Sequence, residues 1–299
     1  MTGPSEKRRS RYNYEPELIR TITTKAAKEK NESINGLTIL NDELFVISRK
    51  SSEIEVFHAQ KLTFCRRLKR KGLIDPLDIV ACNRSKRLYI MDYKTPDQPK
   101  TMFVVNSYGK LLTKVRTGFD YGRLSITEDS NVILTVFWTS ELNVYSADGQ
   151  LLTEMKLPPD VVHPRHAIRL ANGDFVVSHG YFDEEVHGVC IVGTNGEVKK
   201  SYIGTNGSAA GEINIPNYLA VDKDGFVLVA DRRNNRVLLL SPDLKFEREI
   251  LSKSTYSERY TTRVLFNESS SRLMVVDNAF DSANMTLCSD GQILIFYMK

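Results

Sequence analysis

The stretch that decides the fold runs from residue 215 to residue 237 and reads IPNYLAVDKDGFVLVADRRNNRV. Two apolar runs, 217–221 and 226–230, flank the turn sequence Asp224-Gly225. An Asp-Gly pair between two β-rich runs is typical of a tight turn that joins antiparallel strands. A third apolar run, 237–240, follows six residues later. This segment therefore predicts three consecutive antiparallel strands.

The same succession of runs recurs six times along the chain. The repeats begin at Ile34, Pro76, Tyr121, Pro164, Pro216 and Thr261, which are 42, 45, 43, 52 and 45 residues apart. A fourth run usually follows a second tight turn, as after Asp148-Gly149 and Asn195-Gly196. Four short strands in every ~40 to 50 residues are typical of propeller blades. We therefore predict an all-β fold, a six-bladed β-propeller with four antiparallel strands per blade.

The two ends of the chain complete this prediction. Repeat six stops after its third run, near Phe296, so its fourth strand is missing. Residues 17–23 match the fourth strand of repeat five, residues 246–251, in their alternation of charged and apolar residues. An N-terminal strand in the last blade would remove the open edges of the ring. We predict one propeller domain over 17–299, preceded by a disordered basic tail over 1–16.

Composition and charge narrow the classes of function. The chain has 41 basic and 37 acidic residues, a net charge of +4, and the first 30 residues hold eight of the basic and four of the acidic ones. Residues 31–299 contain equal numbers of basic and acidic residues, which argues against a domain-wide basic field that would bind nucleic acid. No apolar run reaches the ~18 residues of a membrane helix. The four cysteines form no CxxC pair and no secretory signal is recognisable, so we predict a cytoplasmic protein that binds no membrane.

The best-preserved repeat also resembles a known family. It begins with Pro216 and a β-run, continues with the turn Asp222-Lys223-Asp224-Gly225 and the run Val229-Ala230-Asp231, and ends with Asn234-Asn235-Arg236-Val237. This order resembles the NHL repeat closely. The match is weaker in repeats two, four and six and poor in repeats one and three. As a periodicity, the resemblance covers about residues 17–297.

The resemblance carries implications of its own. NHL propellers are six-bladed and occur at the C-terminus of tripartite-motif ubiquitin ligases, some of which bind RNA on one face. They also form the fold of a zinc lyase that completes peptide amidation. The present sequence has no pairs of Cys and His spaced as in a RING or a B-box. Ubiquitin ligase activity is therefore not carried over.

One face of the ring is the predicted binding face. In an antiparallel blade, the loop into the first strand and the loop between the second and third strands lie on the same side. We call this side the loop face, and loops on a rigid scaffold commonly carry binding. The residues predicted on it are Arg49, Lys50, Lys69, Arg70, Lys71, Tyr93, Trp138, Tyr181, Arg232, Arg233, Tyr256 and Arg259.

Charge divides this predicted face in two. The basic residues come mostly from blades one, five and six. Blades three and four supply carboxylates, namely Asp120, Glu141, Asp160, Asp183, Glu184 and Glu185. A polarised surface suits an oriented protein segment better than a long nucleic acid crossing the whole face. Aromatic and basic residues together could also stack on single-stranded bases, so RNA remains an alternative.

Histidines supply the weakest candidate chemistry. His163, His166, His179 and His187 all belong to repeat four, and imidazoles with a carboxylate could bind zinc. The lyase that shares the fold takes its ligands from several blades, whereas the other inner strands here lack histidine. We therefore name His163, His166 and His179 only as weak metal candidates and expect no cofactor.

Two further groups of polar residues are expected to be structural. Asp92, Asp231 and Asp277 end the second strands of their repeats, where carboxylates commonly cap the amides of turns. Arg236 is expected to brace a loop, as the corresponding arginine of the repeat pattern does. The sequence thus predicts a monomeric, non-catalytic module that docks a protein segment, with RNA binding as the first alternative and a metal-dependent lyase as the second.

Overall fold

The computed structural model describes residues 12–93, 99–118, 122–182, 186–205, 207–209, 211–252, 259–280 and 288–299. They form six sheets of four antiparallel strands each, so the six-bladed propeller is confirmed. In this range, no helix is long and apolar enough to cross a membrane.

The first three blades follow one another along the chain. Blade one contains β2 (Ile34–Leu40), β3 (Glu43–Ser48), β4 (Glu53–His58) and β5 (Phe64–Lys69). Blade two contains β6 (Pro76–Cys82), β7 (Arg87–Asp92), β8 (Thr101–Asn106) and β9 (Leu111–Arg116). Blade three contains β10 (Gly122–Ile126), β11 (Val132–Val136), β12 (Glu141–Tyr145) and β13 (Leu151–Lys156).

The other three blades complete the ring. Blade four contains β14 (Pro164–Arg169), β15 (Phe175–His179), β16 (Val186–Val192) and β17 (Val198–Thr205). Blade five contains β18 (Pro216–Val221), β19 (Val227–Asp231), β20 (Arg236–Leu240) and β21 (Phe246–Leu251). Blade six contains β22 (Arg259–Asn267), β23 (Arg272–Phe280), β24 (Cys288–Tyr297) and the N-terminal strand β1 (Glu17–Ile22).

The seam of the ring lies in blade six. Strand β1 pairs antiparallel with β24, with Glu17 opposite Tyr297 and Ile22 opposite Ile293. The predicted closure by an N-terminal strand is therefore confirmed. A short helix, α1 (Lys25–Lys30), capped by the Thr24 side chain, leads from this strand into blade one.

Part of the predicted tail is packed against the ring. Residues 1–11 lie outside the described residues, so disorder stays a prediction for them. Tyr12, by contrast, is 3% exposed, and its hydroxyl donates to Asp222 at 2.8 Å. Its ring lies 5.6 Å from that of Phe226, and Arg248 donates to its carbonyl at 2.9 Å. Tyr12 thus extends the N-terminal seam to blade five.

The core consists of apolar layers between neighbouring blades. The middle strands are buried on both faces, as in β3, β7, β11 and β19. The outermost strands alternate or are largely exposed, as in β5 and β9. This difference explains why the second and third runs of each repeat are the most apolar in the sequence.

A β-bulge recurs at the start of the innermost strand. In blades one, two, four and five, the second residue of this strand has no partner in the register with the next strand, and in blade six the fourth residue has none. The skipped residues are Asn35, Leu77, Arg165, Asn217 and Thr262. A bulge re-aims the side chain of the extra residue. The five side chains therefore lie at corresponding places around the central axis.

Candidate functional site

The loop face opens into a cavity of about 480 Å³ at the centre of the ring. All five bulge residues line it, together with residues that follow the second strands. The other lining residues are Ser33, Ile34, Arg49, Asp75, Tyr93, Arg123, Phe137, Trp138, Tyr181, Phe182, Arg232 and Asn278. This volume is in the range of ligand-binding pockets in general.

Beneath the cavity, a buried polar layer spans the axis. We call Asp78, His166, Tyr218 and Arg263 the floor; they occupy the same position in four innermost strands, one residue after the bulge. Each is at most 5% exposed. Arg263 forms an ion pair with Asp78 and donates to the Tyr218 hydroxyl at 2.6 Å.

Backbone groups add two further hydrogen bonds to the floor. The second carboxylate oxygen of Asp78 accepts from the Leu124 amide at 2.7 Å, and Arg263 donates to the Ile79 carbonyl at 2.8 Å. Buried charges are tolerated when they are paired and hydrogen-bonded in this way. The floor therefore couples blades two, three, five and six.

His166 occupies the floor as a neutral ring. It stacks on Tyr218 with 3.6 Å between ring centroids, and its Nδ1 accepts from the Leu219 amide at 3.2 Å. Its Nε2 lies 3.1 Å from the Leu124 carbonyl. Burial, and secondarily the nearby Arg263, holds the pKa of His166 well below its ordinary value of 6.5. A neutral imidazole with one donor and one acceptor fits both contacts.

An aromatic cluster forms one side of the cavity above the floor. Phe137 lies 4.8 Å from Trp138 and 5.2 Å from Tyr181, measured between ring centroids, and its ring is 4.8 Å from that of His163. Phe182 continues the cluster at 5.0 Å from Tyr181. The Trp138 side chain is 63% exposed, although tryptophan is usually well buried.

Arginines lie against this cluster and across the cavity. The Arg165 guanidinium is 5.2 Å from the ring centroids of both Phe137 and Tyr181, and the residue is 5% exposed. Arg232 lies 5.8 Å from the Phe182 ring on the neighbouring blade. These distances are those of cation–π contacts. We call Phe137, Trp138, Arg165, Tyr181 and Arg232 the wall.

Arg123 connects the wall with the floor. Its guanidinium lies 5.7 Å from the Tyr218 ring centroid, and one nitrogen is 3.5 Å from the side-chain oxygen of Asn217. Asn217 in turn donates to the Thr262 carbonyl at 2.5 Å. Amide and guanidinium groups thus follow one another around the cavity from blade three to blade six.

The described lining of the cavity is rich in positive charge. Four of the described lining residues are arginines, and Asp75 is the lining residue with a carboxylate. Asp75 lies 3.7 Å from the Arg49 guanidinium and accepts from the Lys50 amide at 2.9 Å. The other three arginines of the described lining are Arg123, Arg165 and Arg232.

Five of the twelve predicted face residues line this cavity, namely Arg49, Tyr93, Trp138, Tyr181 and Arg232. The remaining described ones, Lys50, Lys69, Arg70, Lys71, Arg233 and Arg259, are not among the lining residues. Tyr256 lies outside the described residues.

Carboxylates neutralise several basic residues outside the cavity. Lys50 lies 3.5 Å from Glu32, and Arg259 forms ion pairs with Asp277 at 2.7 Å and Asp290 at 3.0 Å. Two of the basic residues predicted on the loop face, Lys50 and Arg259, therefore have carboxylates beside them.

The carboxylates predicted on blades three and four are not among the described lining residues of the cavity. Among the predicted carboxylates, Glu141 lies 3.8 Å from Lys156, and Asp160 is exposed. Asp120 and residues 183–185 lie outside the described residues. Towards the cavity, blades three and four present Arg123, Arg165 and aromatic rings instead.

The metal candidates take part in other contacts. His166 belongs to the floor and His163 to the aromatic cluster, whereas His187 has Nε2 2.7 Å from the Tyr181 carbonyl. His179 is 2% exposed, and burial together with His187 lowers its pKa to about 4. In the described part of the chain, no three His, Cys, Asp or Glu side chains are arranged to hold a metal ion.

The predicted structural roles of the polar strand ends are confirmed in blades two and five. Asp92 accepts from the amides of Ile74 and Asp75, and Asp231 accepts from the Asn214 amide at 2.7 Å. Arg236 donates to Asp231 at 2.8 Å and to the carbonyls of Ser208, Ala209 and Glu212. The arginine of the repeat pattern therefore does brace the preceding loop.

Asp277 is held differently, by side chains. Gln292 donates to it at 2.9 Å, and Arg259 pairs with it. Burial raises the pKa of Asp277 above its ordinary value.

Sequence reasoning missed the inner lining. Arg123 and Arg165, and the amides of Asn35, Asn217 and Asn278, line the cavity without having been singled out. A recognisable signal existed for most of them, because the bulge position directly follows the first residue of each repeat. Comparing that column across the repeats would have found Asn35, Arg165 and Asn217.

A family model gives an independent identification. The model of the NHL repeat matches residues 214–238, which include β18, β19 and the loop braced by Arg236. The chain is a six-bladed β-propeller that contains an NHL repeat in blade five. A sequence search of characterised proteins found no match for the chain.

Solved structures support the same fold. The propeller is similar to a protein of unknown function from Bacteroides caccae (14% identity, TM-score 0.57, 79% of this chain and 86% of that one). It is also similar to hydrazine synthase of Kuenenia stuttgartiensis (10%, 0.58, 86% and 78%) and to a streptogramin B lyase (10%, 0.60, 94% and 87%). Identities this low show the fold alone.

Proposed function

We propose that this propeller is a non-catalytic module that docks a protein segment in the central cavity of its loop face. The observation that carries the proposal is the wall, where an exposed tryptophan, two further aromatic rings and two arginines meet around one concavity. Trp, Tyr and Arg are the residues that contribute most to protein–protein interfaces. A concave site of this composition can hold an anchoring side chain of the partner together with a turn of the partner's main chain.

The charge of the rim favours a protein segment over RNA. Binding to a nucleic acid strand gains most of its affinity from a continuous series of phosphate contacts. Here Lys50 and Arg259, which stand outside the cavity, lie beside Glu32 and Asp290. The arginines of the described lining lie at the centre of the face, which suits a short segment that enters the cavity.

The proposal also includes a compartment and an oligomeric state. Cys65, Cys82 and Cys190 are free thiols, and buried Cys82 and Cys190 suit a reducing environment such as the cytoplasm. We expect a monomer, because β1 closes the ring within one chain. Sedimentation of the purified protein would test the monomer.

The test is a selection with two kinds of ligand. Immobilised propeller is exposed to a phage library of random twelve-residue peptides and, separately, to a random pool of single-stranded RNA. We expect enriched peptides whose binding falls at least ten-fold with Trp138→Ala. Tyr108→Ala is the matched control, since Tyr108 is 79% exposed and lies in the β8–β9 turn on the opposite face.

Three outcomes would contradict the proposal. Enrichment of RNA without enrichment of peptides would favour the RNA alternative. Peptides that bind Trp138→Ala as well as the wild type would place docking outside the cavity. One equivalent of zinc in the purified protein, measured by mass spectrometry of the metal, would favour a metal-dependent lyase.

A further inference from the structure

We propose that blade two carries a second docking surface along its outer strand β9, and that this surface binds an acidic protein segment in an extended conformation. The surface is independent of the proposed function, because it lies at the outer edge of the ring and not among the lining residues of the cavity. We call its basic residues the basic edge; they are Arg70, Lys71, Lys110, Lys114 and Arg116.

The sequence around the basic edge lacks carboxylates over two long stretches. Residues 56–74, which include β5 and the loop into blade two, contain six Lys or Arg and no Asp or Glu. Residues 99–118, which include β8 and β9, contain four basic residues and no acidic one. Positive charge therefore accumulates where these two stretches meet.

The two stretches lie against each other in the fold. The β8–β9 turn packs on β5, since a Cβ atom added to Gly109 would lie 3.2 Å from the Leu68 side chain. A Cβ atom added to Gly72 would lie 3.7 Å from the ammonium nitrogen of Lys114. Lys114 thus reaches the loop that follows β5, and the two stretches form one continuous surface.

The charges of the basic edge are not compensated within the described part of the chain. There, no carboxylate forms an ion pair with any of its five residues, and Glu43 and Glu53 of blade one pair with other arginines of β5. Four of the five side chains are exposed. The ammonium group of Lys114 lies 4.9 Å from the Phe103 ring centroid, which positions it before a ligand binds.

The outer strands of blades three to six differ from β9 in their charge. Strands β1, β13 and β21 each contain both signs of charge. In β17, Lys199 and Lys200 pair with Asp174 and Asp243. Charged side chains protect an exposed strand edge against aggregation, and these compensated strands show that one sign alone is not needed for it. The single sign on β9 therefore indicates a partner of the opposite charge.

The geometry of β9 favours a protein segment over a nucleic acid. In the described structure, β9 is the last strand of its sheet and pairs with β8 in regular register over residues 113–116. Main-chain groups on the free edge of a strand can pair with an extended peptide, whereas a nucleic acid has no peptide groups to offer. Lys114 and Arg116 lie on one face about 7 Å apart, which is also the spacing of alternate side chains in an extended segment. Alternate carboxylates would thus form cross-strand pairs with both cations.

The experiment measures the fluorescence anisotropy of labelled dodecapeptides titrated with the full-length protein. The probe alternates Glu and Thr, and its counterpart alternates Gln and Thr. We expect the Glu–Thr peptide to bind at least ten-fold more tightly, because several exposed ion pairs form and each contributes up to about five-fold in affinity. A peptide that alternates Glu and Pro keeps the charge but lacks every second main-chain donor, so it should bind at least three-fold more weakly than the probe.

Two double variants with the same change in net charge locate the effect. Lys114→Gln combined with Arg116→Gln should weaken binding of the Glu–Thr peptide at least five-fold. Lys199→Gln combined with Lys200→Gln removes two lysines that already have carboxylate partners, and it should change binding less than two-fold. Thermal melting establishes that both variants are folded. If the β9 variant is unfolded, Lys71→Gln combined with Lys110→Gln takes its place with the same expected loss.

Each contrary outcome has its own meaning. Equal binding of the Glu–Thr and Gln–Thr peptides overturns the acidic partner, and equal binding of the Glu–Thr and Glu–Pro peptides overturns the pairing with β9. Equal losses in the two double variants would mean that overall charge attracts the peptide. Tighter binding of a twelve-nucleotide oligouridylate, lost in the β9 variant, would make the surface a nucleic-acid site.

One further variant keeps this surface apart from the cavity. Trp138→Ala should bind the Glu–Thr peptide as the wild type does, although it loses the peptides selected for the cavity. Loss of the Glu–Thr peptide in Trp138→Ala would place acidic recognition in the cavity and overturn the second surface. Failure of the Glu–Thr peptide to bind the wild type would overturn it too, and would leave docking in the cavity intact.

Discussion

The floor and the wall are two layers of the same axis, and both contain arginine in aromatic surroundings. In the floor, Arg263 lies 4.1 Å from the Tyr218 ring centroid and is paired with buried Asp78. In the wall, Arg165 lies 5.2 Å from two ring centroids and faces a cavity that opens to solvent. The same residue type therefore lies enclosed between blades in one layer and lines an open cavity in the other.

This difference separates arginines that hold the blades together from arginines that a ligand in the cavity could contact. A buried ion pair contributes little net stability, but breaking it is costly because one charge is left without compensation. An arginine that is only half-buried, such as Arg232, contributes little to folding and can be removed at small cost. Changes in the floor should therefore alter stability most, whereas a change of Arg232 should alter binding.

The largest expected effect follows from Asp78→Ala. This change leaves Arg263 buried without its carboxylate and removes the acceptor of the Leu124 amide. We expect a loss of about 3–5 kcal/mol in the free energy of unfolding, measured by urea denaturation. Asp148→Ala is the control, because Asp148 pairs with Arg87 at the surface and its loss should cost less than about 1 kcal/mol. Equal losses for the two variants would contradict the distinct role of the floor.

The second effect concerns the pH dependence of stability through His166. Its folded pKa lies below the value of 6.5, so the unfolded chain takes up the proton first as pH falls. The contribution of His166 to stability is therefore complete above pH 6.5. Below pH 6.5, this residue lowers the free energy of unfolding by about 1.4 kcal/mol for each pH unit. Urea denaturation at pH 7.5, 6 and 5 would measure the slope.

His166→Gln should flatten this pH dependence by about that amount per unit. The remaining slope contains the contribution of His179, whose pKa of about 4 gives the same sign. Equal pH slopes for the wild type and His166→Gln between pH 7.5 and 5 would mean that the floor accepts a charged imidazole.

A third, smaller effect is expected for Tyr218→Phe. The Tyr218 hydroxyl accepts from Arg263 at 2.6 Å and lies 3.3 Å from the Leu124 carbonyl. Removing it should lower the free energy of unfolding by about 1–2 kcal/mol, since a charged hydrogen bond is lost. Tyr181→Phe makes the same chemical change in the wall and should cost no more than about 0.5 kcal/mol. The comparison fails if the wall variant is the less stable of the two.

The smallest effect on stability is expected for Arg232→Met. The side chain is half-buried, lies over the Phe182 and Tyr260 rings and keeps its aliphatic stem in the variant. We expect a change of about 0.5 kcal/mol in the free energy of unfolding, with at least a ten-fold loss in binding of selected peptides. A destabilisation as large as that of Asp78→Ala would make Arg232 a structural residue like Arg263.

Much of the fold could be predicted from local sequence. The Asp-Gly turn at 224–225, the apolar second strands and the spacing of the six repeats are determined by pairing and turn chemistry within some 45 residues. The closure by β1 also followed, because repeat six lacked a strand and residues 17–23 had the matching pattern. Tyr12 was missed, since a lone tyrosine next to a basic run carries no periodic signal of its own.

Local sequence was sufficient to predict the blades, the loop face and five of the lining residues. The three-dimensional structure was needed to show that Arg123 and Arg165 line the cavity with these five and that Arg263 pairs with Asp78, which is 185 positions away. The physical reason is that strand pairing acts within a blade, whereas the floor and the cavity are formed by residues of different blades. Which residue points inward depends on the bulge, and the bulge is a property of the pairing register and of ring closure.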